Sequence, residues 1–99
     1  REYGLGRKRT DLFIEWPLDA EQGLFGPIQR IVIELKLLRG ALETVIETGL
    51  AQTVDYARRA GADEAHLFIF DRESGRPWDE RIWLRAEAFD GMAVTVWGA

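Results

Sequence analysis

Asp11, Glu34 and Lys36 have the residue types and spacing for metal-assisted chemistry on a phosphate ester. Glu34 and Lys36 stand one residue apart in the run IQRIVIELKLL, residues 28 to 38. Side chains of a strand alternate in direction, so these two charged groups point the same way, with Lys36 about 7 Å further along. Asp11 belongs to RTDLFIEW, residues 9 to 16, which also alternates: Asp11, Phe13 and Glu15 fall on one face and Leu12, Ile14 and Trp16 on the other. A single loop joins the two strands, so antiparallel pairing can bring Asp11 and Glu34 to one ion. Neighbouring carboxylates in a half-buried site repel one another, and a shared Mg²⁺ removes that penalty. Lys36 is then close enough to touch a water or phosphate bound to the ion.

The elements that must position these groups follow from periodicity and punctuation. Pro17, Gly23, Gly26 and Pro27 mark residues 17 to 27 as a loop. In the 28 to 38 strand, Ile31, Ile33, Leu35 and Leu37 share one face, and Arg30, Val32, Glu34, Lys36 and Leu38 share the other. After Gly40 the period becomes helical, with a stripe of Leu42, Val45, Ile46, Gly49, Gln52, Thr53, Tyr56 and Ala60. Gly61 suits a left-handed C-cap, and Arg58 and Arg59 complement the helix dipole in the last turn. Gly49 inside the helix costs about 1 kcal/mol relative to Ala, which predicts that another backbone passes close by. AHLFIF, residues 65 to 70, reads as a buried strand, so strand, helix and strand make a right-handed parallel crossover. The segment from Asp71 to Asp79 reads as a loop, and residues 81 to 97 alternate around Asp90-Gly91, a hairpin signal. Glu2 to Leu5 read as the tail of an earlier strand, turning through Gly6, Arg7 and Lys8. The expected fold is α/β, with a mixed sheet, one principal helix and a C-terminal hairpin, in a single domain over residues 1 to 99.

Composition narrows the function classes. The 99 residues include no cysteine, so disulfides, thiolate zinc sites and thiol nucleophiles are excluded. Ser74 and His66 are the single serine and histidine, and neither sits in an elbow motif, which argues against a serine triad. Four Trp and five Phe are expected to supply much of the core; Trp16, Trp78, Trp83 and Trp97 could instead stack on bases, but buried packing is the reading taken, and His66 receives no role. No apolar run approaches a bilayer span, so the expectation is a soluble, cytoplasmic protein without a membrane partner. The net charge of −4, from 13 basic and 17 acidic residues, argues against holding nucleic acid by overall attraction, although an enzyme with carboxylate metal ligands tolerates such a balance. The chain opens on Arg1, in what reads as a strand end, and is expected to be a piece of a longer protein.

Asp11 followed by Glu34-Leu35-Lys36 on the next strand resembles the PD-(D/E)xK nuclease superfamily. The following helix adds Gln52-Thr53-Val54-Asp55-Tyr56, in the position of the Gln-x-x-x-Tyr motif of RecB-type members. A spacing of four puts Gln52 and Tyr56 on one helical face, directed toward the strand end that bears the lysine. The resemblance runs from about Gly6 to Phe70, and the closing Thr95-Val96-Trp97-Gly98 hairpin is similar to nuclease-like domains found C-terminal to AAA-ATPase-like modules. It implies a restriction-endonuclease-like core whose first helix and most of whose first strand lie before Arg1. Thr10-Asp11 stands where the motif often has Pro-Asp.

The resemblance further implies that Asp11, Glu34 and the Leu35 carbonyl hold Mg²⁺ or Mn²⁺. Lys36 would position or activate the attacking water, while Gln52 and Tyr56 orient the lysine or hold a phosphate. The reaction would be hydrolysis of a nucleic-acid phosphodiester, DNA rather than RNA, leaving a 5′-phosphate. Arg7, Lys8 and Arg9 form a basic turn before Asp11 that either contacts phosphates or is simply solvated. An N-terminal ATPase-like module would accompany the domain in the parent chain. A homodimer through an unpaired strand edge is a further expectation.

Blander readings stand beside this one. Taken singly, Glu34 and Lys36 also fit a solvated strand face, and Asp11 an exposed strand residue. The nuclease fold can persist as a catalytically inactive interaction domain. A different phosphate-ester hydrolase using the same metal is the remaining alternative.

Overall fold

A computed structural model describes residues 10–72, 75 and 77–99, with the backbone alone at positions 10, 11, 78 and 80. Strand β1 (Thr10–Pro17) and strand β2 (Ile28–Leu37) pair antiparallel, in a register that sets Thr10 opposite Leu35 and Pro17 opposite Ile28. Their connection is tighter than the predicted loop. Asp19 Oδ1 accepts the Glu21 N–H at 2.9 Å and its carbonyl accepts the Gly23 N–H at 2.9 Å, leading into a 3-10 turn at Gly23–Phe25. An aspartate bonding to backbone just ahead of it stabilises a turn in this way.

Helix α1 (Leu42–Ala60) follows, and Gly61 closes it at φ 67, the left-handed cap read from the sequence. Arg59 pairs with Asp55 one turn earlier at 3.1 Å. Arg58 reaches Asp90, bonding both its carboxylate and its carbonyl. Strand β3 (Glu64–Phe70) lies parallel to β2 as expected, and a clamp sets its start: Asp63 Oδ2 accepts the Arg30 N–H while the Asp63 N–H donates to the Arg30 carbonyl. The predicted 71 to 79 loop gives way to a one-turn helix, α2 (Trp78–Arg81). Strands β4 (Trp83–Phe89) and β5 (Met92–Gly98) form the hairpin, with Asp90 at φ 50 and Gly91 at φ 82. Two successive positive φ values make the turn that matches strand twist.

The sheet order is β1-β2-β3-β5-β4, with β5 parallel to β3 and β1 and β4 at the edges. Helix α1 packs on one face, against β2, β3, β5 and β4. The core between them comprises Val32, Ile46, Leu50, Val54, Tyr56, Ala57, Ala65, Leu67, Ile69, Val94 and Val96. Leu50, Val54 and Ala57 were not in the predicted stripe, because α1 rests on a broad sheet and buries a wider face than a narrow seam requires. Gly49 does mark a close approach, but a side chain makes it. A Cβ added there would stand 2.7 Å from Leu67 Cδ2.

Aromatic residues do not dominate this core, contrary to expectation. Tyr56 is its one fully buried aromatic among the described side chains, and Trp16 is 62% exposed. Trp83 lies on the helix side over Gly98, whose missing Cβ makes room for the indole, with the Arg85 guanidinium 5.1 Å from the ring. Three more sit on the face opposite α1. There Phe68 stacks on Trp97, centroids 5.5 Å apart, and Phe70 continues the row at 6.4 Å. His66 belongs to the same row and was given no role from sequence. Its Nδ1 accepts the Trp97 indole N–H at 3.0 Å, which places the proton of the neutral ring on Nε2, 3.0 Å from Glu64 Oε2.

Candidate active site

The β1–β2 register sets Asp11 directly opposite Glu34. Directly opposed positions of an antiparallel pair have Cβ atoms about 4.5–5.5 Å apart. The Asp11 side chain lies outside the described atoms, as do Arg7, Lys8 and Arg9 and the turn expected at Gly6.

Glu34 is 0% exposed, which corrects the reading of a polar strand face. Its neighbours along β2 on the same side are Val32 and Lys36, and Leu67 stands opposite it on β3. The physical reason is α1, which covers this side of the sheet and turns an alternating pattern that would suit a solvated face into the core face. A carboxylate with no solvent exposure pays a large desolvation cost as an anion, which cationic or hydrogen-bonding neighbours must offset.

Lys36 is half-buried, in register with Ile69 of β3. It lines a cavity of about 280 Å³ with Leu37, Arg39, Thr44, Val45 and Thr48, beneath the first turns of α1. On the other side it borders a cavity of about 270 Å³ with Leu35, Leu37 and Phe70. Its ammonium makes no ion pair among the described residues, and it borders both cavities. Leu35 itself stands between Thr10 on β1 and Phe68 on β3.

Gln52 and Tyr56 both face the sheet from α1, Tyr56 with 0% exposure and Gln52 half-buried. Gln52 Oε1 is shut off from solvent and has no hydrogen-bond partner among the described residues. Gly49 rests on Leu67, at the level of Glu34, and Tyr56 lies about 10 Å further along the helix axis. The α1 residues around the Lys36 cavity are therefore Thr44, Val45 and Thr48, earlier in the helix than the Gln-x-x-x-Tyr pair. Thr53, between the pair, bonds its hydroxyl back to the Gly49 carbonyl at 2.7 Å, which satisfies a buried polar group locally.

Among the described residues no group of three or more His, Asp or Glu side chains is placed to hold a metal ion. The donors at the site are oxygens, a set suited to a hard divalent cation such as Mg²⁺ or Mn²⁺. No helix among the described residues is long and apolar enough to cross a membrane. Compared with protein-family models, with curated proteins and with solved structures, the chain matches none.

Proposed function

We propose that this domain is a metal-dependent phosphodiesterase of the PD-(D/E)xK type, acting on nucleic acid. One observation carries the reading: a fully buried Glu34 directly opposite Asp11 in strand register, with Lys36, unpaired among the described residues, two residues on at the mouth of two cavities. A solvated strand face has no reason to place a carboxylate under a helix.

In this reading Asp11, Glu34 and the Leu35 carbonyl hold Mg²⁺ or Mn²⁺. The bound ion would supply Lewis-acid polarisation of the phosphate and a more acidic water. Glu34, 0% exposed, would present its carboxylate to the ion from the helix-covered side of the sheet. Lys36 presents its ammonium to the phosphate oxygens or to the attacking water, where negative charge grows toward the transition state. Gln52 and Tyr56 lie on the sheet-facing side of α1 but away from the Lys36 cavity, so neither is assigned to orienting the lysine. The substrate is a DNA or RNA phosphodiester, and an ATPase-like module and a second copy of the chain are its proposed companions.

A second reading, an inactive nuclease fold kept for interaction, is favoured by the exposed apolar side chains on the sheet face opposite α1, Trp16 and Leu84 among them. Metal binding and cleavage in the full-length protein separate the two. Lys36→Ala is expected to leave Mn²⁺ affinity unchanged or slightly raised while cleavage falls on the order of 100-fold or more, and Glu34→Gln to abolish both. A cleaving parent whose Lys36→Ala variant cleaves equally well rejects the mechanism. A parent that binds no Mn²⁺ supports the interaction reading.

A further inference from the structure

Beyond the Lys36 cavities, the ends of β2 and β3 enclose a larger one of about 400 Å³, lined by Leu37, Leu38, Arg39, Gly40, Phe70 and Arg72. It shares Leu37 and Phe70 with one Lys36 cavity and Leu37 and Arg39 with the other. The larger cavity is thus a trough at the ends of β2 and β3 that adjoins both Lys36 cavities. Two features give it a chemistry. Arg39 and Arg72 are exposed at the rim, and neither pairs with a carboxylate among the described residues. Leu37, Leu38 and Phe70 lie between them, Phe70 37% exposed, in a cavity whose surface is on balance polar.

One described acidic group nearby is otherwise engaged. Glu43, in the first turn of α1, is held by Arg85 of β4 at 2.9 Å. Asp71, between Phe70 and Arg72, is half-buried, and its backbone N–H donates to the Ala99 carbonyl at 2.7 Å, which ties the end of β3 to the end of β5. The start of α1 opens beside Gly40, and Ala41 at the cap has no side-chain acceptor for the first-turn N–H groups, which adds positive potential to the same end.

We propose that this trough is a nucleotide subsite, in which Arg39 and Arg72 grip a phosphate next to the one at Lys36 and Phe70 carries the adjoining base or sugar. Guanidinium forks match phosphate oxygens in pairs, and an aromatic face accepts any base, so the ligand is a single strand held without sequence preference. The domain needs no overall positive charge for this. Three cations at one sheet end supply the attraction locally while the chain as a whole stays acidic.

The inference rests on the nuclease reading, and its test is arranged to fail separately. A fluorescent oligodeoxythymidylate is titrated with the full-length protein in EDTA, so that binding is read without cleavage, and the titration is repeated across a range of salt. Arg39→Gln and Arg72→Gln are each expected to weaken binding about tenfold and to lower the salt slope by about one. Arg59→Gln removes an equal charge at the far end of α1 and is expected to stay within about twofold. Arg39→Lys and Arg72→Lys keep the charge without the fork, and an intermediate loss supports paired contacts. Equal losses in Arg59→Gln and the trough variants, no loss in either trough variant, or no binding by the wild type overturn the subsite. Losses confined to Arg39 and Arg72, in a protein whose Lys36→Ala variant cleaves normally, leave the subsite standing and reject the mechanism. An inactive Lys36→Ala variant with binding indifferent to both arginines does the reverse.

Discussion

The two faces of the five-stranded sheet are built from similar numbers of apolar positions and meet different fates. Under α1, Val32, Leu67, Ile69 and Val96 are sealed by Ile46, Leu50 and Val54, and the same face carries Glu34 and Lys36. On the other face Leu84 is 60% exposed, and Phe68, Phe70, His66 and Trp97 form a row held by ring stacking and one indole hydrogen bond. Hydrophobicity alone does not distinguish the faces; helix coverage does. The covered face is where a charged group becomes expensive, and therefore where its presence signals chemistry.

Stability measurements can break this comparison. The largest effect is expected at Leu67, at the contact with Gly49: Leu67→Ala should cost about 2–5 kcal/mol in urea unfolding, because the fixed sheet and helix cannot collapse onto the void. A loss under about 1 kcal/mol would show that the α1 face is loosely packed. Next comes Gly49→Leu, expected to cost about 1–3 kcal/mol by overpacking against the Leu67 methyls. If it is as stable as the parent, the helix does not rest on Leu67. In the Leu67→Ala background part of that cost should disappear, as a contacting pair requires. The smallest effect belongs to the open face, where Leu84→Ala should stay within about 0.5 kcal/mol. A larger loss there would mean that the open face is covered in solution, and would sharpen the case for a partner on it.

The site was legible in part for a physical reason. Glu34 and Lys36 could be placed on one strand face from the period of two, whereas the register that opposes Asp11 to Glu34 was open, because the long connection from Pro17 to Ile28 does not set it. Arg39, Gly40 and Arg72 carried no signal, since they meet only when β2 and β3 end side by side after a helical crossover. His66 and Trp97, 31 residues apart, were equally hidden, because nothing local announces that β5 inserts next to β3.

What sequence determined by itself was everything written in short-range backbone preference: the helix that stops at a left-handed Gly61, and the hairpin that turns through Asp90-Gly91. These depend on φ values and side-chain periods that a few neighbouring residues settle. Tertiary structure alone decided which side of β2 became interior. Both sides of that strand carry apolar residues, and the choice was made by where α1 came to rest. With it came the burial of Glu34, since the free energy of covering a sheet face belongs to the docked pair and not to either segment.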